Sequence, residues 1–261
     1  CETKKNAVVI GGGLLGLEAA YGLKQRGMNV TVLHLMDRIM ERQLDGRASR
    51  MLRQSIEEKG INIITEANTE ALIGKDGHVN QVRLKDGTVL DADLVVFAVG
   101  IRPNIALAQS AGLRCNRGIL VNDTMQTFDP SIYAVGECIE HRNQTFGLVE
   151  PLWGQAFICA THLAEHGSLT FKSPTVPTQL KVSGVDVFSA GNFEPKEDYE
   201  DIILNDEKRQ IYKRIIIQKD KVIGAVLFGD TEDGMWYAEL IADQTPISTF
   251  RNKLLFGKDL Q

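Results

Sequence analysis

No stretch of the sequence approaches the about 18 consecutive apolar residues that a membrane-spanning helix needs, so no membrane partner is expected. Positive charge is not in excess either. Lys and Arg number 29 against 34 Asp and Glu, a net charge of −5, which argues against a nucleic-acid partner. Cysteine is sparse: Cys1, Cys115, Cys138 and Cys159 contain no C-x-x-C pair. That excludes a clustered zinc or iron–sulfur site within these residues and gives no disulfide framework. Each cysteine reads as a small buried hydrophobe in a reducing, cytoplasmic setting. No signal-peptide pattern is visible, and the sequence opens on Cys1 rather than Met and reaches a strand almost at once. A fragment of something longer is expected.

What is present is an ordinary globular composition, 261 residues with 43% apolar and 24% charged. Its most informative stretch is residues 6–20, NAVVIGGGLLGLEAA. Residues 7–10 form a short apolar run, the pattern of a strand buried on both faces. Gly11, Gly13 and Gly16 then fit G-x-G-x-x-G, and from Leu14 onward the apolar spacing turns helical until Gly27. In that context Gly11 allows a tight turn, Gly13 lets backbone approach a pyrophosphate, and Gly16 lets helix and strand pack closely. The amides around Leu14 and Leu15 open the helix, where the dipole favours a phosphate. Residues 29–33 read as the second strand of a β-α-β unit, which raises the glycine motif above a bare turn.

The second strand ends at His34, where an acid would accept from the ribose 2′-hydroxyl of NAD. Here it is a histidine, followed by Arg38 and Arg42, either of which could reach a phosphate. NADH and NADPH therefore both stay open, as does a plain solvated role for His34. Residues 43–59 read as an amphipathic helix and 61–64 as a buried strand. Residues 69–73, 79–84 and 88–90, with hairpin turns at Asp76-Gly77 and Asp86-Gly87, form an antiparallel meander. The sheet resumes at 93–100, and its stop at Gly100 is assigned to the ligand side, beside the first glycine stop.

Residues 104–111 read as a short helix, 118–121 as a strand, and 132–135 as a short buried strand ending in Gly136 and Glu137. A carboxylate there suits a sugar-like polyol. Pro151 to Gly154 opens a helix over 155–166, with Phe157, Ile158, Thr161 and Leu163 as candidate core. Residues 171–178, carrying Pro174 and Pro177, read as a linker. Strands are expected at 179–182, 185–189, 201–204, 210–218 and 222–228, and a helix at 233–242. This last α+β unit shows no catalytic constellation, and its alternating charges suggest a solvated sheet face.

Three motifs together resemble the FAD-dependent pyridine-nucleotide oxidoreductases: GGGLLGLE at 11–18, VVFAVGIRPN at 95–104 and TFDPSIYAVGE at 127–137. Residues 36–45, 136–138 and 146–151, then 184–191, 211–214 and 224–230, are similar to the nitrite reductase large subunits within that family. The resemblance implies an α/β fold: a Rossmann-like NAD(P)-binding domain with an antiparallel meander at 1–104, part of an FAD-binding domain at 105–172, and a C-terminal α+β reductase domain at 173–261. It implies that Leu14, Leu15 and Glu18 approach NAD(P)H, with Glu18 near the nicotinamide. Read without the resemblance, Glu18 is equally a first-turn acid complementing the helix dipole. It puts His34 and Leu35 at the adenosine ribose and Arg42 on the adenosine side. Gly100 and Ile101 line the nicotinamide, Gly136 and Glu137 hold the FAD ribityl chain, and Trp153 lies by the isoalloxazine. The wider family usually has aspartate at position 137.

The family's first glycine fingerprint, which grips the FAD pyrophosphate, is not in this sequence. The FAD site is therefore expected to be incomplete here, with the missing N-terminal FAD segment as a partner and FAD retained poorly. The implied activity is hydride transfer from NAD(P)H to FAD, with electrons passing to a redox partner domain. Iron–sulfur and sirohaem centres belong only to the full-length protein. No general acid or base is needed. Two rivals stand beside this: a stand-alone rubredoxin or ferredoxin reductase or NADH oxidase, and a non-catalytic NAD(P)-binding sensor. An apolar face left uncovered near Trp153 makes a homo-oligomer an expectation.

Overall fold

The computed structural model describes residues 5–164, 169–173, 177–194 and 198–258. It divides into two compact units, one of Cys1–Gly100 with Pro177–Gln261 and one of Ile101–Val176.

The first unit begins as a β-α-β repeat. Strand β1 (Asn6–Ile10), helix α1 (Leu14–Gln25), β2 (Asn29–Leu33), α2 (Gly46–Glu58) and β3 (Ile61–Ile64) follow one another directly. An antiparallel meander, β4 (Thr69–Lys75), β5 (His78–Leu84) and β6 (Val89–Asp91), precedes β7 (Leu94–Phe97). The parallel sheet has the order β3-β2-β1-β7, with Ile10 opposite both Leu33 and Phe97. β1, a central strand, is apolar and buried from residue 7 to residue 10 because both of its faces are covered. Val9 and Val32 pack with Leu17, Leu52 and Ile56 of the helices, while Val8, Ile10 and Leu33 pack with Val82 and Leu84 of the meander. Helix α2 starts three residues later than the apolar pattern suggests. Asp45 accepts from the Ala48 amide at 2.9 Å and caps the helix there, leaving Leu44 buried ahead of it.

The second unit holds α3 (Ala106–Ser110), β8 (Ile119–Val121), β9 (Ile139–His141), β10 (Gln144–Thr145) and α4 (Val149–Leu163). Its small sheet has the order β10-β9-β8 over a core of Met125, Ile139, Phe146, Ile158, Cys159 and Phe171. Two expectations are corrected here. Residues 132–135 are not a strand: Tyr133 makes one isolated bridge to Gln126, and the strand lies beyond the glycine, at β9. Helix α4 buries Pro151, Gln155, Ile158 and Cys159, so Phe157 and Leu163 are exposed rather than core. Its 3.6-residue period keeps 151, 155, 158 and 159 on one side and turns Val149, Trp153 and Phe157 outward. Of the sequence-based elements, residues 165 and 166 of this helix and 174–176 of the linker lie outside the described residues. Phe171, at the linker's start, is buried against His141 and Phe146.

The remainder of the first unit is an antiparallel sheet: β11 (Thr178–Val182), β12 (Val185–Gly191), β13 (Glu200–Asp206), β14 (Ile211–Gln218) and β15 (Lys221–Phe228), in the order β11-β12-β15-β14-β13. Helix α5 (Gly234–Asp243) and a 3-10 turn (Arg251–Phe256) complete it. The expected solvated face is not found on the central strands. Phe188, Ile215, Ile217 and Leu227 pack on Trp236, Tyr237 and Ile241 of α5. Val187, Tyr212, Val226 and Phe228 join the core of the parallel-sheet domain. The charged residues that suggested solvent are paired instead: Lys213, 5% exposed, holds Asp230 at 2.8 Å and Asp233 at 3.5 Å. No described helix is long and apolar enough to cross a membrane.

Candidate functional site

The glycine loop is built by close approach. Gly11 has φ of +121°, and a Cβ on it would stand 2.2 Å from the Ala98 carbonyl oxygen just past β7. A Cβ on Gly16 would stand 1.9 Å from the Gly11 carbonyl oxygen. Both positions are therefore closed to any side chain. Gly13 is different. A Cβ there would meet nothing within 4 Å, and its φ of −84° suits any residue. Packing does not require glycine at 13, so the bare backbone there faces open space. The first helical bond of α1 runs from the Leu17 amide to the Gly13 carbonyl at 3.0 Å. The amides of Leu14, Leu15 and Gly16 precede it and have no intrahelical acceptor. Leu15 and Glu18 are exposed beside them.

At the end of β2, His34 is buried and uses both ring nitrogens. The Gly12 amide donates to Nδ1 at 3.0 Å, and Nε2 lies 3.0 Å from Glu41 Oε2. Nδ1 faces a donor and keeps its lone pair, so the ring proton lies on Nε2 and is donated to the carboxylate. The segment after β2 folds back on the loop, with the Met40 amide donating to the Gly12 carbonyl at 3.0 Å. Leu35 and Met36 are exposed there. Arg38 pairs with Glu194, and Arg42 is exposed, with no partner among the described residues. Exposed Gly100 ends this part of the unit beyond β7.

The second unit carries its own set. The amide of Gly136 donates to Gln155 Oε1 at 2.8 Å, pinning the turn that presents the exposed Glu137. Gln155 is fully buried, and its Nε2 has no hydrogen-bond partner. Ile101 is exposed, with its Cδ1 3.3 Å from where a Cβ on Gly147 would stand. Next to the turn, buried Glu140 accepts from Asn116 Nδ2 at 3.0 Å and from the amides of Arg117 and Gly118 at 2.8 and 3.1 Å. Burial pushes its carboxyl up, but those bonds outweigh it and leave it below its ordinary value. Asp123 binds Arg142 Nη2 at 2.6 Å and His141 Nε2 at 2.8 Å, and these two partners hold its carboxyl down at about 2. On α4, Val149, Trp153 and Phe157 form an outward apolar stripe, 65%, 73% and 62% exposed.

The model of the pyridine nucleotide-disulphide oxidoreductase family matches residues 2–156. The chain belongs to that family. A second family model, the rubredoxin NAD+ reductase C-terminal domain, matches residues 177–245. Over 94% of its length the chain is 50% identical to a nitrite reductase [NAD(P)H] of Bacillus subtilis (strain 168) and covers 30% of that protein. It is 42% identical, over 96% of its length, to the assimilatory nitrate reductase electron transfer subunit of the same organism, and covers 32% of it. Among solved structures, an NAD-dependent persulfide reductase from A. fulgidus superposes with a TM-score of 0.85 at 30% identity, over 96% of this chain and 51% of that one. The chain thus spans about a third of the length of the curated relatives it matches.

As a pyridine nucleotide-disulphide oxidoreductase, the chain has residues that fit a dinucleotide. Gly13 offers bare backbone beside unsatisfied helix amides, and β1 and β7 end side by side. The second unit's residues fit a flavin's polyol and ring: an exposed acid on a pinned glycine turn, and an exposed tryptophan. Gly11, Gly13, Leu14, Leu15, Gly16, Glu18, His34, Leu35, Arg38, Arg42 and Gly100 fall in the first unit, and Ile101, Gly136, Glu137 and Trp153 in the second. Three participants escaped sequence reasoning. Gln155 is a polar residue on a helix's core side, Glu140 lies in a strand the pattern did not reveal, and Glu41 meets His34 only through the fold-back. Only the charge of Glu41 beside a nucleotide motif offered a signal.

Proposed function

We propose that this chain is the NAD(P)H-to-flavin electron-transfer part of a nitrite reductase of the NAD(P)H-dependent type. Residues 1–104 form the nucleotide domain, 105–172 the C-terminal part of an FAD domain, and 173–261 the reductase C-terminal domain. The observation that carries this reading is Gly13, bare where packing allows a side chain, at the mouth of a strand–loop–helix unit. The 50% identity to the Bacillus subtilis nitrite reductase supports the choice of final acceptor.

In this reading the amides of Leu14 and Leu15 donate to the nucleotide pyrophosphate, while Gly11 and Gly16 hold the loop in place. Glu18 and Gly100 border the nicotinamide, and Leu35, Arg38 and Arg42 border the adenosine. Gly136 and Glu137 would hold the flavin's ribityl hydroxyls, and Trp153 would lie by its ring. NAD(P)H, when bound, would supply a hydride that FAD would accept, and in this reading the onward electron acceptors, iron–sulfur and sirohaem centres, lie outside these residues. The chain's own part is to bind, orient and exclude water. A missing FAD segment covers the Val149, Trp153 and Phe157 stripe, and a reducing cytoplasm suits the free Cys115, Cys138 and Cys159.

The test is NADH- and NADPH-dependent dye reduction and nitrite consumption by the parent protein with FAD added. Both activities support the proposal. Dye reduction without nitrite consumption favours a rubredoxin or ferredoxin reductase or an NADH oxidase. Nucleotide binding with neither activity favours a sensor.

A further inference from the structure

At the end of the second strand of a dinucleotide fold, the local charge reads the adenosine ribose. An acid accepts from a free 2′-hydroxyl, and a base welcomes a 2′-phosphate. His34 holds that position and can do neither. Its Nδ1 is taken by the Gly12 amide at 3.0 Å, and its Nε2 proton is given to Glu41 Oε2 at 3.0 Å. The ring nevertheless carries a carboxylate to the place. Glu41 comes from seven residues further on, where Met40 docks on the Gly12 carbonyl, and its side chain is 26% exposed. Its Oε1 has no partner among the described residues. One oxygen is fixed by a buried imidazole whose tautomer the Gly12 amide dictates, and the other is left as an acceptor.

We propose that Glu41, oriented by His34, is the carboxylate that reads the adenosine ribose, and that the pair makes the site select NADH over NADPH. The inference rests on the nucleotide reading of the glycine loop. Carboxylate and 2′-phosphate are both anionic and repel in this half-buried place, whereas a 2′-hydroxyl donates to Glu41. Two cations lie near the pair in sequence. Arg38 is neutralised by Glu194, and Arg42, exposed and unpaired among the described residues, is the group that would favour the phosphate instead. His34 is a positioning residue: it aims Glu41 and steadies the Gly12 amide.

The experiment titrates the chain with NADH and with NADPH, following nicotinamide fluorescence. NADH is expected to bind at least about tenfold tighter. Glu41→Gln keeps an acceptor for His34 but removes the charge, and the preference is expected to shrink to about threefold or less. Adding His34→Asp to Glu41→Gln returns a carboxylate to the strand end, within reach of the Gly12 amide, and is expected to restore the preference. A purely structural role for the pair would not move the ratio in both directions. NADPH binding as tightly as NADH in the unaltered chain overturns the inference and assigns the site to Arg42; that ratio needs no variant. An unchanged ratio in Glu41→Gln also overturns it. Binding of neither nucleotide overturns the nucleotide reading and this inference together.

Discussion

The hydroxyl of Tyr212 donates to Asp45 Oδ2 at 2.7 Å, joining the C-terminal sheet to the first residue before helix α2 across 167 positions of chain. The other oxygen of Asp45 caps that helix through the Ala48 amide, and Arg214 Nη1 adds a contact at 3.2 Å while its Nη2 reaches Asp201 at 2.9 Å. Both Tyr212 and Asp45 are buried. One carboxylate thus starts helix α2 and ties it to the C-terminal sheet. Tyr212→Phe is expected to lower stability by about 1.5–3 kcal/mol, the range for a hydrogen bond to a charged acceptor. Asp45→Ala is expected to lower it by about 3–5 kcal/mol, because Arg214 and the phenol both lose a buried partner. Urea unfolding of the two variants checks the order.

The same joint sets the alkaline limit. Burial, then the Asp45 carboxylate, pushes the Tyr212 phenol well above its ordinary value, and burial does the same for Tyr237. The folded state keeps protons that the unfolded state loses above about pH 10. Stability from these groups is therefore complete below that pH and falls as pH rises beyond it. Tyr212→Phe is expected to flatten this fall, as measured by unfolding free energy between about pH 9 and 11.

At the acid end the second unit is governed by depressed carboxyls. Asp123 is held at about 2 by Arg142 and His141. Its contribution is fully present above the unfolded value of about 3.9 and disappears as pH falls through the folded one. Asp123→Asn is expected to destabilise the unit at neutral pH and to converge with the unaltered chain by about pH 2. Glu140→Gln, which turns an acceptor of three donors into one that meets an amide with its own N–H, is expected to lower stability by about 1–3 kcal/mol. Thermal melts across pH, followed by a probe in this unit, test both.

The stripe of Val149, Trp153 and Phe157 predicts association. Three large apolar side chains, each more than half exposed on one face of α4, form a patch that water covers poorly. The chain expressed alone is expected to self-associate as concentration rises. Trp153→Ser with Phe157→Ser should shift the sedimentation profile towards monomer without lowering the melting temperature, since neither side chain contributes to the core.

What the sequence revealed and what it concealed divide by distance along the chain. The β1–loop–α1 unit was readable because glycine spacing and the switch from strand to helix period are local. The meander was readable from Asp76-Gly77 and Asp86-Gly87 for the same reason. Residues 132–135 looked like a strand because they are apolar, yet Ala134 bonds to Met125, and the Gly136 amide bonds to a helix side chain rather than to a strand. Hydropathy placed Phe157 and Leu163 inside α4 and could not foresee that Gln155 would take the core position. The polar residues of β14 looked solvated because Asp45, Asp230 and Asp233, which pair with them, lie elsewhere in the chain. His34 could be singled out by position, but not its bonds to Gly12 and Glu41.

Gly13→Ala is the sharpest probe of whether the loop at Gly13 receives a pyridine nucleotide. A Cβ there meets nothing within 4 Å, so stability should change by less than about 1 kcal/mol. By contrast, Gly16→Ala drives a Cβ to 1.9 Å from the Gly11 carbonyl oxygen and should lower stability by about 3 kcal/mol. The measurement is the dissociation constant for NADH of the Gly13→Ala chain against the unaltered one. A pyridine nucleotide seated on this loop requires binding at least about tenfold weaker with the fold intact. Equal affinity in the two proteins would contradict it.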